Sequence, residues 1–394
     1  MSAPRDAAAR DDIRDRHDAS LFIEAGAGTG KTRALVERVV SLVAAGAVEL
    51  RHLAAITFTE AAAAELRDRV RAGLESAAAG RDERYAGSDA RRRCRRALDQ
   101  IDEAALTTLH GFASRLLTEH PFDLGLPPGF RVLEPIEANV EFEQRWTALI
   151  DELFDDPALE PVLTVWLASG LTVARLRPVA LAFCEHHERL SPPPPPRPIP
   201  PLRSADVLRA LDELLTLRRT QCHDDTDKLA EHIDTYQDAR DCLAAAADEL
   251  DVFEALDAMP RSRGAGGRGK KQCWADVDRA RAAVAEVERV RAEVIHEQRL
   301  GALAVLGGRL SAFARAYADD RRREGRLWFH DLLVLARDLL GEHPDARDAA
   351  ASRYRCLLID EFQDTDPLQI ELAVLLATSD PARAVRRWSD APIR

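Results

Sequence analysis

Lysine, aromatic residues and long apolar runs are all scarce in this chain. Aromatics make up 5% of the 394 residues, so the core has to be built largely from leucine, valine and alanine. No apolar stretch approaches the roughly 20 residues that a membrane-spanning helix needs. The N-terminal run MSAPRDAAARDDIRDR is charged and lacks an apolar centre, so it does not read as a secretory signal. The six cysteines (Cys94, Cys184, Cys222, Cys242, Cys273, Cys356) are scattered, and none forms a Cys-x-x-Cys pair. That argues against a zinc or iron–sulfur centre and for free thiols in a reducing cytoplasm. The heavy use of alanine and arginine is that of a GC-rich genome, so the expected setting is the bacterial cytoplasm with no membrane partner. A net charge of -12 weighs against a nucleic-acid partner, yet 55 basic residues leave room for a local groove.

What is present is most informative at Ala25-Gly26-Ala27-Gly28-Thr29-Gly30-Lys31-Thr32. The run follows three apolar residues, Leu21-Phe22-Ile23, and precedes a helical pattern at Leu35, Val36, Val39, Val40 and Val43. Strand, glycine-rich turn and helix together form the setting of a phosphate-binding loop. Glycines let successive backbone N–H groups converge, and the helix N-terminus adds the positive end of its dipole. Lys31 is placed to reach the β- and γ-phosphates and Thr32 to ligate magnesium. Arg33 either contacts phosphate or base or is an exposed helix residue. The consensus opens with glycine where this chain has Ala25, and a ligand-free turn is the competing reading.

Far downstream, Arg355-Cys356-Leu357-Leu358-Ile359 is a short apolar run ending in Asp360-Glu361. A buried parallel strand delivers acids at its C-terminal end in this way. Asp360 is expected to hold magnesium, and Glu361 to orient and deprotonate the attacking water. Ile56 to Leu66, ITFTEAAAAEL, reads as a strand end followed by a helix with Ala62, Leu66, Val70 and Leu74 on one face. That helix start and the Thr57 and Thr59 hydroxyls can bind a backbone phosphate, and Phe58 either stacks on a base or packs beneath the groove.

Asp360-Glu361-Phe362-Gln363-Asp364 resembles the second motif of superfamily 1 DNA helicases of the UvrD/Rep type. ITFTEAAAAEL is similar to that family's TFTxxAAxEL motif, and Thr107-Thr108-Leu109-His110-Gly111-Phe112 to its TxHxF motif. Gly325 to Leu333, GRLWFHDLL, resembles its G-x-L-x-F-x-D-L-L stretch. The likeness covers roughly residues 5–130 and 308–377 and lies closest to the RecB/AddA branch, the helicase subunits of bacterial recombination nucleases. It implies ATP and Mg2+ as cofactors, with catalysis by Lys31, Asp360 and Glu361 and coupling to DNA by Gln363. It places Thr57, Phe58, Thr59 and His110 along single-stranded DNA. Intact relatives move 3′ to 5′ in double-strand break repair. The implied partners are single- or double-stranded DNA and other subunits of a recombination helicase–nuclease complex.

The implied fold is α/β: a P-loop NTPase with a RecA-like parallel sheet and its phosphate loop on the first strand. Residues 1–130 and 308–394 would form that domain, and 131–307 an inserted helical subdomain. Two helical faces fit the insertion, one at Val207, Leu208, Leu211, Leu214 and Leu215, the other at Val277, Val284, Val287, Val290 and Val294. Ser191 to Pro201 holds a stiff polyproline spacer. Two basic clusters, Arg91 to Arg96 and the glycine-rich Arg261 to Lys271, either touch phosphates or are a solvated helix face and a loop.

Two departures set further expectations. The first glutamine is Gln100, so the residue that reads adenine upstream of the loop in the family is missing, and adenine preference follows from resemblance alone. The sequence also carries no second RecA-like domain and none of the arginines that approach the γ-phosphate in the family. Such an arginine contributes roughly 10³–10⁵ in rate. The expectation is a gene fragment that binds nucleotide, hydrolyses it slowly and does not unwind DNA alone. The alternative is a catalytically incomplete ATP- or DNA-binding remnant or adaptor.

Overall fold

Three short apolar strands carry the sheet of the first unit: β1 (Leu53–Thr57), β2 (Ala105–Thr108) and β5 (Cys356–Ile359). Two-residue strands β3 (Arg131–Val132) and β4 (Arg326–Leu327) form a separate parallel pair. The computed structural model describes residues 7–26, 28–190, 202–261, 269–362 and 367–378. The chain divides into two compact units: Met1–Glu134 with Asp320–Arg394, and Pro135–Asp319.

The helices of the first unit before the division are α1 (Ala7–Asp15), α2 (Lys31–Ala45), α3 (Glu60–Ala78), α4 (Ser88–Asp99) and α5 (Leu109–Glu119). The second unit is helical: α6 (Pro135–Asp155), α7 (Glu160–Ala168), α8 (Val173–Glu185), α9 (Ser204–Gln221), α10 (Lys228–Ala245), α11 (Glu249–Ala258) and most of α12 (Val277–Glu324). The first unit resumes with the end of α12, then α13 (Asp331–Glu342), α14 (Pro344–Arg353) and α15 (Pro367–Ala377).

The sheet runs β2-β1-β5, all parallel, with Ala54 opposite Ala105 and Leu357, and Ile56 opposite Thr107 and Ile359. Every residue of β1 is buried, because alternate side chains enter two different cores. Ala54 and Ile56 pack with Phe112 and Leu116 of α5, Leu332 to Leu340 of α13, and Leu372 of α15. Leu53 and Ala55 pack on the other face with Val39 and Leu42 of α2, Leu66 and Val70 of α3, and Cys94 of α4. Leucine, valine and alanine dominate both cores, as the scarcity of aromatics requires.

Two features of the sequence reading change. Leu21-Phe22-Ile23 does not form a strand; Phe22 is 82% and Ile23 37% exposed. With two of its three residues facing water, the triplet gains too little burial to offset the cost of ordering it as a strand. In the first turn of α3 the alanine that is buried is Ala63 rather than Ala62, in line with Leu66, Val70 and Leu74. The Arg91–Arg96 cluster also has a structural use. Arg93 donates to the Ala44 carbonyl at the end of α2, and Arg91 to the Ala78 carbonyl at the end of α3. Both satisfy helix C-terminal acceptors.

In the second unit, Val207, Leu211, Leu214 and Leu215 of α9 are buried, as are Val277, Val284, Val287 and Val294 of α12. Asp227, the cap of α10, is buried and accepts from Trp274 Nε1 at 3.0 Å and from the backbone of Leu229 and Lys270 at 2.9 Å each. No single helix among the described residues is long and apolar enough to cross a membrane. The polyproline segment Ser191–Pro201 and residues 262–268 of the basic loop lie outside the described residues.

Candidate active site

The glycine-rich segment wraps the start of α2. Gly28 and Gly30 have φ of 75° and 90°, backbone that glycine adopts without a Cβ penalty. Inside the turn, Thr29 Oγ1 donates to the Gly26 carbonyl at 2.7 Å, and Arg10 reaches the Thr29 carbonyl at 2.9 Å. Gly30 is the N-cap of α2, a helix of 15 residues, and among the described residues no side chain caps it. An uncapped helix start flanked by left-handed glycines presents N–H groups and a positive dipole end to an anion. Gly26 and Gly28 are exposed, Ala25 and Thr32 partly so, and Ala27 lies outside the described residues. Arg33 is exposed and pairs with Glu37 at 3.0 Å, one turn along α2.

Lys31, the first residue of α2, crosses to the downstream acids. Its Nζ donates to Glu361 Oε2 at 2.8 Å, across 330 positions of sequence. The two side chains are 26% and 38% exposed, so this contact can exchange with a ligand. Asp360 extends the sheet, its N–H donating to the Ile56 carbonyl at 2.9 Å, and its Oδ1 accepts from the Glu361 N–H at 3.0 Å. Glu361 has φ of 53° and is the one non-glycine residue with positive φ among those described. Such a backbone costs roughly 1 kcal/mol or more and is characteristic of functional turns. Gln363 and Asp364 lie outside the described residues.

The other site residues gather at the same edge, where β1, β2 and β5 end together. A cavity of about 300 Å³ opens there between Phe58, His110, Phe329, Asp360 and Phe362. Ligands of open parallel sheets bind at this carboxyl edge. Phe58 is 59%, Phe329 57% and Phe362 38% exposed, an arrangement that leaves ring faces for a planar ligand. The His110 ring stacks on Phe329 at 3.8 Å with 15° between planes. Thr57 is buried, with its hydroxyl donating to the Thr59 carbonyl at 3.3 Å. Thr59 caps α3 by accepting from Ala62 N–H at 3.1 Å. Thr108 caps α5 in the same way, accepting from Gly111 N–H, and donates to Glu60 Oε1 at 2.7 Å.

Sequence reasoning does not single out Phe329, Glu60 or Thr108 as site residues. Glu60 and Thr108 sit inside motifs that it does identify. Phe329 likewise sits inside an identified stretch, as the phenylalanine of GRLWFHDLL, and its usable signal is that position in a chain poor in aromatics. Burial pushes the thiols of Cys94 and Cys356 above their ordinary range, which keeps both in the unreactive protonated form.

Comparison with known proteins fits this geometry. The family model described as the UvrD/REP helicase N-terminal domain matches residues 7–385. A protein named as an ATP-dependent helicase/nuclease subunit from Moorella thermoacetica is 38% identical over 151 residues, 38% of this chain and 10% of that protein. Proteins of the same name from Geobacillus kaustophilus and Pediococcus pentosaceus are 34% identical over 147 residues and 30% identical over 136 residues. Those matches cover 37% and 34% of this chain and 11% of each relative. The chain therefore matches about a tenth of the length of these curated relatives.

Proposed function

Because the chain belongs to the UvrD/REP helicase N-terminal domain family, we propose that it is the ATP-binding portion of a DNA helicase or translocase. It acts in repair and recombination and couples ATP hydrolysis to 3′-to-5′ movement on single-stranded DNA. The reading extends to a role as one subunit of a helicase–nuclease assembly, after the names of its relatives.

One observation carries the proposal: Lys31 and Glu361 meet at 2.8 Å beside an uncapped helix start, at the sheet edge that also holds the aromatic cavity. The donor set fits a magnesium triphosphate. The N–H groups at the start of α2 and the Lys31 ammonium match phosphate oxygens, and a hydroxyl and a carboxylate, Thr32 and Asp360, would hold a magnesium ion. When bound, that ion neutralises charge on the phosphates. Lys31 leaves Glu361 for the β- and γ-phosphates. Glu361 is thereby released to accept a proton from the attacking water at its Oε atoms. Gln363 would couple this site to DNA, with Thr57, Phe58, Thr59 and His110 along the strand. The hydroxyls of Thr57 and Thr59 shape the turn that projects Phe58, so in this reading the bases meet rings rather than these hydroxyls: Phe58, His110 and the Phe329 stacked on it.

The test is binding of a fluorescent ATP analogue with magnesium, binding of oligothymidylate, and phosphate release with and without that DNA. We expect nucleotide binding that Lys31→Ala weakens strongly, and DNA binding that Phe58→Ala weakens. Phosphate release should be stimulated by DNA and lost in Glu361→Gln. Nucleotide binding indifferent to Lys31→Ala would overturn the site assignment. Intact nucleotide binding without DNA binding would overturn the helicase reading.

A further inference from the structure

Phe329 projects from a three-residue turn, Trp328-Phe329-His330, between β4 and α13. Short exposed turns are the mobile parts of a fold, and a stacking ring held on one would lose part of its affinity to ordering. This turn is instead anchored from beneath. Arg321, in the last turn of α12, is 1% exposed and Asp331 4%. Arg321 Nε donates to Asp331 Oδ2 at 2.8 Å and Nη2 to Oδ1 at 2.9 Å. The same Oδ2 accepts the backbone N–H of Trp328 at 2.8 Å, and the guanidinium lies 4.2 Å over the centre of the Trp328 ring. The turn is also gripped at its root. Gly325 has φ of 67°, and a Cβ there would lie 2.5 Å from Pro127, so the chain leaves α12 closely against the residues before β3. Arg131 and Leu133 N–H groups then donate to the Gly325 and Leu327 carbonyls at 2.8 Å each.

We propose that the buried Arg321–Asp331 pair is a positioning device for the nucleic-acid platform. It fixes the Trp328 peptide and thereby holds Phe329 in its stack with His110. The ligand is single-stranded DNA in the sense of the proposed function, on which this inference rests. Neither Arg321 nor Asp331 touches it. Asp331 acts through one carboxylate oxygen that serves two donors, the guanidinium and the Trp328 N–H. Arg321 keeps that oxygen in place with a planar fork that a lysine does not reproduce.

A matched pair of double variants tests this. Removing one partner alone would strand a buried charge, so both are replaced by neutral groups. Arg321→Met with Asp331→Asn retains an oxygen for the Trp328 N–H; Arg321→Met with Asp331→Leu does not. Each is made with and without Phe329→Ala, and affinities for oligothymidylate and for a fluorescent ATP analogue are measured. Base stacking on one ring is worth roughly 1–3 kcal/mol, so Phe329→Ala should weaken DNA binding about tenfold or more. We expect the Leu variant to weaken DNA binding about tenfold, and the Asn variant to recover most of the loss. In the Phe329→Ala background the Leu variant should add less than about a twofold change. Nucleotide affinity should stay within about twofold throughout.

Wild-type affinity in the Leu variant would overturn the positioning role and leave the helicase reading intact. An equal loss of nucleotide and DNA affinity, or an undiminished effect without Phe329, would reduce the pair to a general structural role. A wild-type chain that binds nucleotide but no oligothymidylate would overturn both.

Discussion

Two ion pairs in the first unit share one chemistry and differ in almost everything else. Lys31–Glu361 joins a flexible ammonium to a carboxylate on strained backbone at 2.8 Å, and both ends are partly open to water. Arg321–Asp331 is a two-point fork shut away from water and braced by the Trp328 N–H and ring. An exposed pair contributes about 0–1 kcal/mol and exchanges readily. A buried pair contributes little against an apolar replacement but strongly penalises the loss of one partner. The first is therefore suited to being broken by a ligand, and the second to keeping its neighbours still.

The comparison breaks most visibly at Asp331. Asp331→Ala leaves the Arg321 charge buried and should lower unfolding free energy by about 3–5 kcal/mol, read by chemical denaturation; a loss under about 1 kcal/mol would show that water reaches the pair. Lys31→Ala should leave stability nearly unchanged but weaken the ATP analogue by about 2–3 kcal/mol, the scale of a charge-assisted hydrogen bond. Titration calorimetry separates the two effects.

Asp227 sharpens the contrast by holding a carboxylate with neutral donors. Burial alone would push its carboxyl up, but the Trp274 indole and the backbone N–H groups of Lys270, Leu229 and Ala230 hold it below the usual carboxylate range. A depressed carboxyl stabilises the fold above its unfolded value, and that share is lost as pH falls through the lowered one. Asp227→Asn should cost about 1–3 kcal/mol at neutral pH and make acid unfolding less steep, which circular dichroism can follow. The smallest effect belongs to Glu361→Gln. It should change stability by less than about 1 kcal/mol while raising nucleotide affinity slightly, since the group that Lys31 meets at 2.8 Å loses its charge. A drop in nucleotide affinity would mean that the contact does not compete with phosphate.

Much of this was legible along the chain. The apolar run ending at Asp360 announced a buried parallel strand; β5 is parallel, but it is half-buried throughout and lies at the edge of the described sheet, with only β1 beside it. Apolar runs and helical spacing located much of the cores. Lys31 and Glu361 were tied to one pocket by the chemistry that each residue type serves, and they meet at 2.8 Å. Other parts were not legible, for identifiable reasons. Whether Leu21-Phe22-Ile23 forms a strand depends on what covers its two faces, which a three-residue pattern does not encode. The Arg321–Asp331 pair spans a helix end, a strand and a turn, and RRREGRLWFHD offers several arginines with no local sign of which turns inward. The stack of His110 on Phe329 joins segments more than two hundred positions apart, and only the folded sheet brings them together.

The shared finishing line of β1, β2 and β5 has a consequence for where damage can arise. A strand advances about 3.3 Å per residue and flips its side chains at each step. If β5 slipped by one position against β1, the acids would move by roughly the length of a hydrogen bond and face the wrong way. Placement of the chemistry is thus delegated to Leu53, Ala54, Ala55 and Ile56 and their partners. A methylene misplaced among those silent hydrocarbons would misaim the acids without altering any group that meets a ligand.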